Sequence, residues 1–303
     1  MVVLVTGANG QLGQAIQSIS GKYPEIDFVF CSSSELDITN LENCQAVFST
    51  YQPHFCINAA AYTAVDKSES EPAKAFNINA NGAENLAITS KQHNTILIHI
   101  STDFVFDAYF SEGVAYYDRE FRLPLKSNLG LTETDIPFPS GVYGLTKLQG
   151  EQAIQAIWEK HFIIRTSWVY SQFGNNFMKT MLRLASERDT LSVVADQIGT
   201  PTNAVDLAEV LLKIIQSPNS HRPSSFGIYN FSNEGQCSWY DFAKEIFSQS
   251  NITIDLKSIP TTAYPTPAKR PAYSVLNKSK LKETFNIEIK DWQTSLNSCL
   301  NQL

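Results

Sequence analysis

Tyr143-Gly144-Leu145-Thr146-Lys147 sets a phenol and an ammonium four residues apart, a spacing that puts both on one face of a helix. A free tyrosine has a pKa near ~10 and transfers protons slowly at neutral pH. A nearby ammonium favours the phenolate and lowers that pKa, which is what general-acid catalysis needs. The same lysine can bond the ribose of a nicotinamide nucleotide. Tyr-x-x-x-Lys alone occurs often by chance, so its weight depends on what else shares the site. Ser101-Thr102-Asp103 closes a β-branched run, at the carboxyl end of a strand, where ligands bind in open α/β sheets. A Thr102 hydroxyl there can donate to a carbonyl oxygen and share its hydrogen bond with Tyr143. Together these groups suit reduction of a ketone: hydride arrives from a nicotinamide, Thr102 holds the developing alkoxide and Tyr143 supplies the proton.

A phosphate cradle precedes them. Thr6-Gly7-Ala8-Asn9-Gly10-Gln11-Leu12-Gly13 is a GxxGxxG pattern where the first strand turns into the first helix. Glycines there permit a tight turn and let backbone amides approach a pyrophosphate, while the helix N-terminus adds unpaired N–H groups and a positive dipole end. Three glycines are weak evidence alone and strong evidence inside a βαβ unit. The second strand ends in Cys31-Ser32-Ser33-Ser34. No carboxylate is read there to repel a 2′-phosphate, and the hydroxyls could donate to one, so NADPH is expected, with NADH still usable. Asp37 is better placed for the adenine than for the ribose.

These residues need a scaffold, and the chain supplies one. Short apolar runs at 2–6, 26–31, 54–58, 95–100 and 162–165 read as strands buried on both faces. Helical patterns lie between them at 11–20, 41–51, 72–91 and 142–159. Alternating βα units imply a parallel sheet covered by helices on both sides. Beyond Trp168 the rhythm loosens: helices at 177–187, 204–216, 239–248 and 291–303, strands at 191–195 and 227–231. Pro260, Pro265, Pro267 and Pro271 make 259–271 an extended loop. The fold expected is α/β, a Rossmann-like doubly wound parallel sheet with a smaller C-terminal α/β substrate lobe. The cofactor domain spans residues 1–165, with about 196–231 returning to it; 166–195 and 232–303 form the lobe.

Composition bounds the alternatives. The 303 residues carry a net charge of −7, with 43% apolar and 17% charged side chains. That apolar share argues against disorder, and the acidic balance against a nucleic-acid surface, which needs clustered Lys and Arg. The five cysteines lack CxxC spacing and the five histidines show no HxH or HExxH pattern, so neither a disulfide framework nor a metal site is expected. Each histidine, His99 included, reads as a core or surface residue. No run reaches the ~18 apolar residues that span a bilayer, and the chain enters a strand pattern without a signal-like segment. A cytoplasmic protein with reduced thiols and no membrane partner is expected.

Taken together, these motifs identify the sequence as resembling the extended short-chain dehydrogenase/reductases. The resemblance spans nearly the whole chain. It runs through the glycine loop, Asn58-Ala59-Ala60-Ala61-Tyr62-Thr63-Ala64-Val65-Asp66-Lys67, the Thr102 and Tyr143 segments, Arg165-Thr166-Ser167-Trp168-Val169-Tyr170, Gly174-Asn175-Asn176-Phe177, Asp196-Gln197 with Gly199-Thr200-Pro201-Thr202, and Tyr264 through Pro271. The later segments match the branch that acts on a 4-keto nucleotide sugar. The resemblance implies reduction of the C4 keto group of dTDP-4-dehydro-L-rhamnose to dTDP-L-rhamnose. It makes Tyr143 the proton donor, Lys147 its partner and Thr102 the tuner of its pKa. Gly10, Gln11, Leu12, Asp37, Ile38, Ala59, Ala60 and Ala61 match cofactor-contacting positions, beside Gly7 and Gly13. Thr102, Asp103 and Trp168 match substrate-contacting ones. Asn176 belongs to a matching segment and is carried with them. Arg270 suits a diphosphate, because its planar fork is always charged. Some relatives use Mg²⁺ at a dimer interface, so Mg²⁺ and a homodimer are carried as expectations, with no ligands assigned.

Two departures stand out. Phe104 replaces a tyrosine frequent in the family, and residues 108–129 form an insertion beyond the usual loop length, rich in aromatics and read as a lid or subunit contact. Two other functions compete: a non-catalytic nucleotide-binding regulatory subunit of the same fold, and a nucleotide-sugar epimerase or dehydratase. An intact Thr102, Tyr143 and Lys147 favours an enzyme over a binding subunit, and the single carboxylate in Thr102-Asp103-Phe104 disfavours a dehydratase.

Overall fold

A computed structural model describes residues 1–109 and 130–303; the insertion read at 108–129 lies, but for its first two residues, outside the described residues. Six parallel strands form the main sheet: β1 (Val2–Thr6), β2 (Asp27–Cys31), β3 (Phe55–Asn58), β4 (Ile96–Thr102), β5 (His161–Thr166) and a late strand at Gly227–Asn230. Their order is β2, β1, β3, β4, β5, then Gly227–Asn230. The direction of winding reverses between β1 and β3, and the crevice at such a switch point is where open α/β sheets bind ligands.

The strand residues explain the layering. Val3, Val5, Ile57, Ile98 and Ile164 point to one face, where α1 (Gln11–Ser20) and the helix Ala204–Gln216 cover them. Leu4, Cys56, Leu97 and Ile163 point to the other, under α2 (Leu41–Tyr51), α3 (Gly82–His93) and α4 (Val142–Ile157). Alternate residues are apolar on both faces because both are buried. The helical pattern read at 72–91 forms with a break: Pro72–Phe76 passes through a π-turn, Asn77–Asn81, before α3. There Asn79 accepts from Tyr62 N–H and donates to Thr146 Oγ1, tying the segment after β3 to the helix that carries Tyr143.

A second cluster packs the helices Phe177–Glu187, Trp239–Gln249 and Trp292–Leu300 around Tyr170, Phe242 and Trp292. Its parallel strand pair joins Thr190–Val194 to Asp255–Ile259. The last helix is shorter than the pattern at 291–303 suggests: Asp291 caps its start by accepting from Gln293 N–H, and it ends at Leu300. From Ile259 to Pro271 the chain holds one short turn at Thr261–Ala263 and no longer helix, as four prolines dictate.

Candidate active site

The glycine loop closes on β3. Gly7 has φ +64°, and a Cβ there would lie 2.7 Å from Ala60 N, so the backbone of residues 59–61 occupies the space a side chain would take. A Cβ on Gly13 would lie 2.5 Å from Gly7 O, which lets α1 start tight against the strand. Gly10 precedes α1 with no side-chain cap, and the first turn holds no acid. The amides of Gln11 and Leu12 therefore open onto the crevice with a positive dipole end behind them. Leu12's own side chain is core. Ala59, Ala60 and Ala61 are partly exposed along the rim. This cradle fits a dinucleotide pyrophosphate.

The adenosine end departs from expectation. Glu35 folds back so that its Oε2 accepts from Ser32 N–H at 2.8 Å and from Ser32 Oγ at 2.7 Å. Ser32 Oγ is also 2.9 Å from Ser34 Oγ. Those two hydrogen bonds hold the Glu35 carboxyl below its ordinary range. A carboxylate thus does stand at the end of β2, supplied four residues beyond the strand end rather than within it, and the Ser32 and Ser34 hydroxyls are already engaged. Asp37 Oδ1 accepts from Thr39 N–H and Oγ1. Ile38's side chain is buried under Gly82, leaving only its backbone for a ligand.

Thr102 ends β4, and Tyr143 stands in the first turn of α4. Glu69 Oε1 receives the Val142 N–H at 2.9 Å, which fixes where that helix begins. Tyr143 packs edge-on to Phe104, centroids 5.4 Å apart. Thr102 Oγ1 donates to Asp103 Oδ1 at 3.0 Å. Desolvation pushes the Tyr143 phenol up to about 12; its hydrogen bond with Thr102 opposes this, and the Asp103 charge adds to it. Lys147 turns inward from the same helix. Its Nζ donates to Ile100 O at 2.6 Å and lies 3.2 Å from His99 Nε2. Burial brings Lys147 down to about 8, against the pull of Glu151. The sheet gathers Thr102, Asp103, Tyr143 and Lys147 at one carboxyl edge, but the phenol is raised and not lowered as the Tyr-x-x-x-Lys spacing suggests, because desolvation dominates and Lys147 Nζ is directed at His99 and Ile100 O.

The other three residues expected to reach the sugar nucleotide, Trp168, Asn176 and Arg270, are more dispersed. Trp168 follows β5 with φ +48°, a left-handed conformation rare for a bulky residue. Its indole stacks on Trp239, centroids 3.6 Å apart and planes 10° from parallel. A Cβ on Gly199 would lie 2.6 Å from the Trp168 ring. Asn176 is engaged by the protein itself: Nδ2 donates to Gln11 Oε1 at 2.9 Å and to Ser171 O at 2.7 Å, while Oδ1 caps the helix Phe177–Glu187. Arg270 makes a two-pronged pair with Asp66, Nη1 to Oδ1 at 2.8 Å and Nη2 to Oδ2 at 2.7 Å. Among the described residues no group of three His, Cys, Asp or Glu side chains could hold a metal ion, and no helix is long and apolar enough to cross a membrane.

The sequence reading missed Glu35, Trp239 and His99. Only Glu35 left a signal, an acid four residues past the end of a second strand. Trp239 and His99 gain their roles through partners 71 and 48 positions away, which no local spacing reveals.

A doubly wound sheet with a glycine cradle at its switch point and a Thr-Tyr-Lys edge defines an NAD(P)H-dependent oxidoreductase of the short-chain dehydrogenase/reductase kind. The chain belongs to the family described as RmlD substrate binding domain, whose sequence model matches residues 1–303. It is 42% identical to dTDP-4-dehydrorhamnose reductase of Aggregatibacter actinomycetemcomitans, over 97% of this chain and 96% of that one. It is 38% identical to the Escherichia coli (strain K12) protein of the same name, over 100% and 98%. The crystal structure of dTDP-4-dehydrorhamnose reductase from Bacillus anthracis str. Ames in complex with NADP matches with TM-score 0.88 and 38% identity, covering 100% of this chain and 99% of that chain.

Proposed function

We infer that this chain reduces the C4 keto group of dTDP-4-dehydro-L-rhamnose to give dTDP-L-rhamnose, with NADPH as hydride source. The observation that carries the reading is the gathering of Thr102 at the carboxyl end of β4 with the buried Tyr143 and Lys147 of α4, beside the glycine cradle, in a chain whose relatives bear that activity in their names.

Bound in the cradle, the dinucleotide would supply hydride at its nicotinamide; Gly7, Gly10, Gln11, Leu12, Gly13, Ala59, Ala60 and Ala61 are assigned to hold it. The Thr102 hydroxyl turns its one hydrogen from Asp103 Oδ1 to the ketone oxygen and stabilises the negative charge that develops there. Tyr143 Oη then gives its proton to that oxygen. A phenol desolvated this strongly holds its proton at neutral pH and releases it once an alkoxide, a far stronger base, forms beside it. Asp103 and Trp168 are assigned to the sugar. Asn176 and Arg270 are assigned to shaping the cleft, because their donors already have partners within the chain.

Mixing the purified protein with NADPH and dTDP-4-dehydro-L-rhamnose and following loss of reduced-nicotinamide absorbance tests this. Oxidation that requires the sugar nucleotide is expected; none, with NADPH bound, would overturn it.

A further inference from the structure

The backbone N–H of Ala60 can only donate. It lies 3.2 Å from Asn58 Oδ1 and 3.2 Å from Thr6 Oγ1, and Thr6 Oγ1 donates to the same Asn58 oxygen at 2.7 Å. Two donors aimed at one end of the Asn58 amide require that end to be the oxygen. The other end, Nδ2, therefore faces His99 Nδ1, 2.9 Å away. An amide nitrogen only donates, so Nδ1 must present its lone pair, and a neutral His99 carries its proton on Nε2.

Nε2 points at Lys147 Nζ, 3.2 Å away. An ammonium has three donors and no acceptor, so facing an N–H it makes no bond. An amine has one lone pair, which takes the Nε2–H, and a hydrogen for Ile100 O at 2.6 Å. Only the amine form completes the network. Thr6, Asn58, His99 and Lys147 are all buried, where an unmade hydrogen bond is costly.

We propose that Asn58 is a positioning residue for the reaction: it locks the tautomer of His99, and His99 in turn favours the amine form of Lys147. This rests on the reductase reading above, which assigns Lys147 as partner of Tyr143. Each reduction leaves a Tyr143 phenolate. The proton returned to it comes from the Lys147 ammonium, and the amine left behind is the form the network completes. Lys147 then recovers a proton from solvent, and no electron moves.

The other charged groups around the pair are few. From β5, His161 faces His99 and disfavours its protonation, and Arg165 is paired with Glu151 at 2.6 Å. From α4, Glu151 alone favours the Lys147 ammonium. From β3, the Cys56 thiol is pushed far up by burial and stays neutral. His99 is held well below its usual value by burial, then by Lys147, in line with the geometry.

Long-range ¹H–¹⁵N NMR of the cofactor-free, full-length protein with labelled histidine reads the tautomer without any turnover, and loss of one signal in His99→Gln assigns it. An Nε2–H tautomer is expected; Nδ1–H overturns the proposal. In Asn58→Asp the carboxylate accepts from Nδ1–H, so the tautomer should switch and Nε2 become an acceptor for the ammonium. The alkaline limb of the kcat–pH profile should then move up by about one unit, the scale of a neighbouring opposite charge, with KM for NADPH little changed. His99→Gln, whose amide oxygen can turn to Lys147, should move the limb the same way. Limbs unchanged in both variants overturn the proposal, and if Asn58→Asp does not fold, the wild-type tautomer and His99→Gln still decide. Absence of any NADPH oxidation with the Nε2–H tautomer present would count against the reductase reading and leave the tautomer lock standing.

Discussion

Trp168 lies flat on Trp239, one just past β5 and the other at the start of a helix in the smaller lobe. Both rings pack against the cluster around Tyr170, Phe242 and Trp292, and Phe177 closes on the stack with its centroid 4.6 Å from Trp239. Holding Trp168 at φ +48° carries a strain of about 1–3 kcal/mol, and such strain persists where the surroundings over-determine it.

Trp239→Ala should release that constraint. An aromatic pair contributes about 0.5–1.5 kcal/mol beyond area burial, so a drop in Tm is expected. KM for the sugar nucleotide should rise while KM for NADPH holds, because the stack lies on the lobe side of the cleft. Steady-state kinetics with each substrate varied in turn checks this; equal changes in both KM values would argue against it.

Tyr143→Phe keeps the ring against Phe104 and removes only the hydroxyl. Cofactor binding should persist, and turnover should fall by roughly 10²–10⁴-fold, the usual contribution of a positioned general acid. Fluorescence titration with NADPH alongside the absorbance assay separates the two effects. Retained turnover would place the proton donor elsewhere.

Glu35 sets a negative charge at the end of β2, tied to Ser32. In Glu35→Gln a 2′-phosphate meets no opposing charge, so KM for NADPH should fall by roughly fivefold at low salt, the scale of one exposed like-charge pair. KM for NADH should change less. High salt should shrink the difference, and a preference that does not move would show that Glu35 lies outside the reach of the ribose.

Asp66 anchors the proline-rich segment through Arg270, and its carboxyl is held below the ordinary range first by the Arg270 hydrogen bond. Its folded value lies below its unfolded one. The stability it contributes is therefore complete above the unfolded value and is lost as pH falls through the folded one. The Tm gap between wild type and Asp66→Asn should be constant above about pH 5 and shrink below about pH 4. It should also be small, because the pair is partly solvent-exposed. A gap that widens on acidification would contradict the assignment.

Much of this was legible in the chain itself. Tyr143 and Lys147 are four apart on one helix, Gly7 to Gly13 lie within one turn, and Val2 through Thr6 alternate between two buried faces; each is a short-range pattern with one cheap geometry. Pro72 to Lys91 reads as a single helix, yet Asn79 opens a π-turn there to reach Tyr62 and Thr146. That demand comes from residues distant in sequence.

The sequence by itself determined the strand–helix rhythm, the cradle and the Thr-Tyr-Lys edge, because helix and strand periodicity couples residues only a few positions apart. Tertiary structure alone decided what those groups experience. Burial raises the Tyr143 phenol to about 12 against the Thr102 contact, Asn58 on β3 meets His99 on β4, which meets Lys147, and Arg270 finds Asp66 across 204 positions. Such partners are chosen by packing, and proton affinity depends on distance and desolvation, quantities that exist only once the chain has folded.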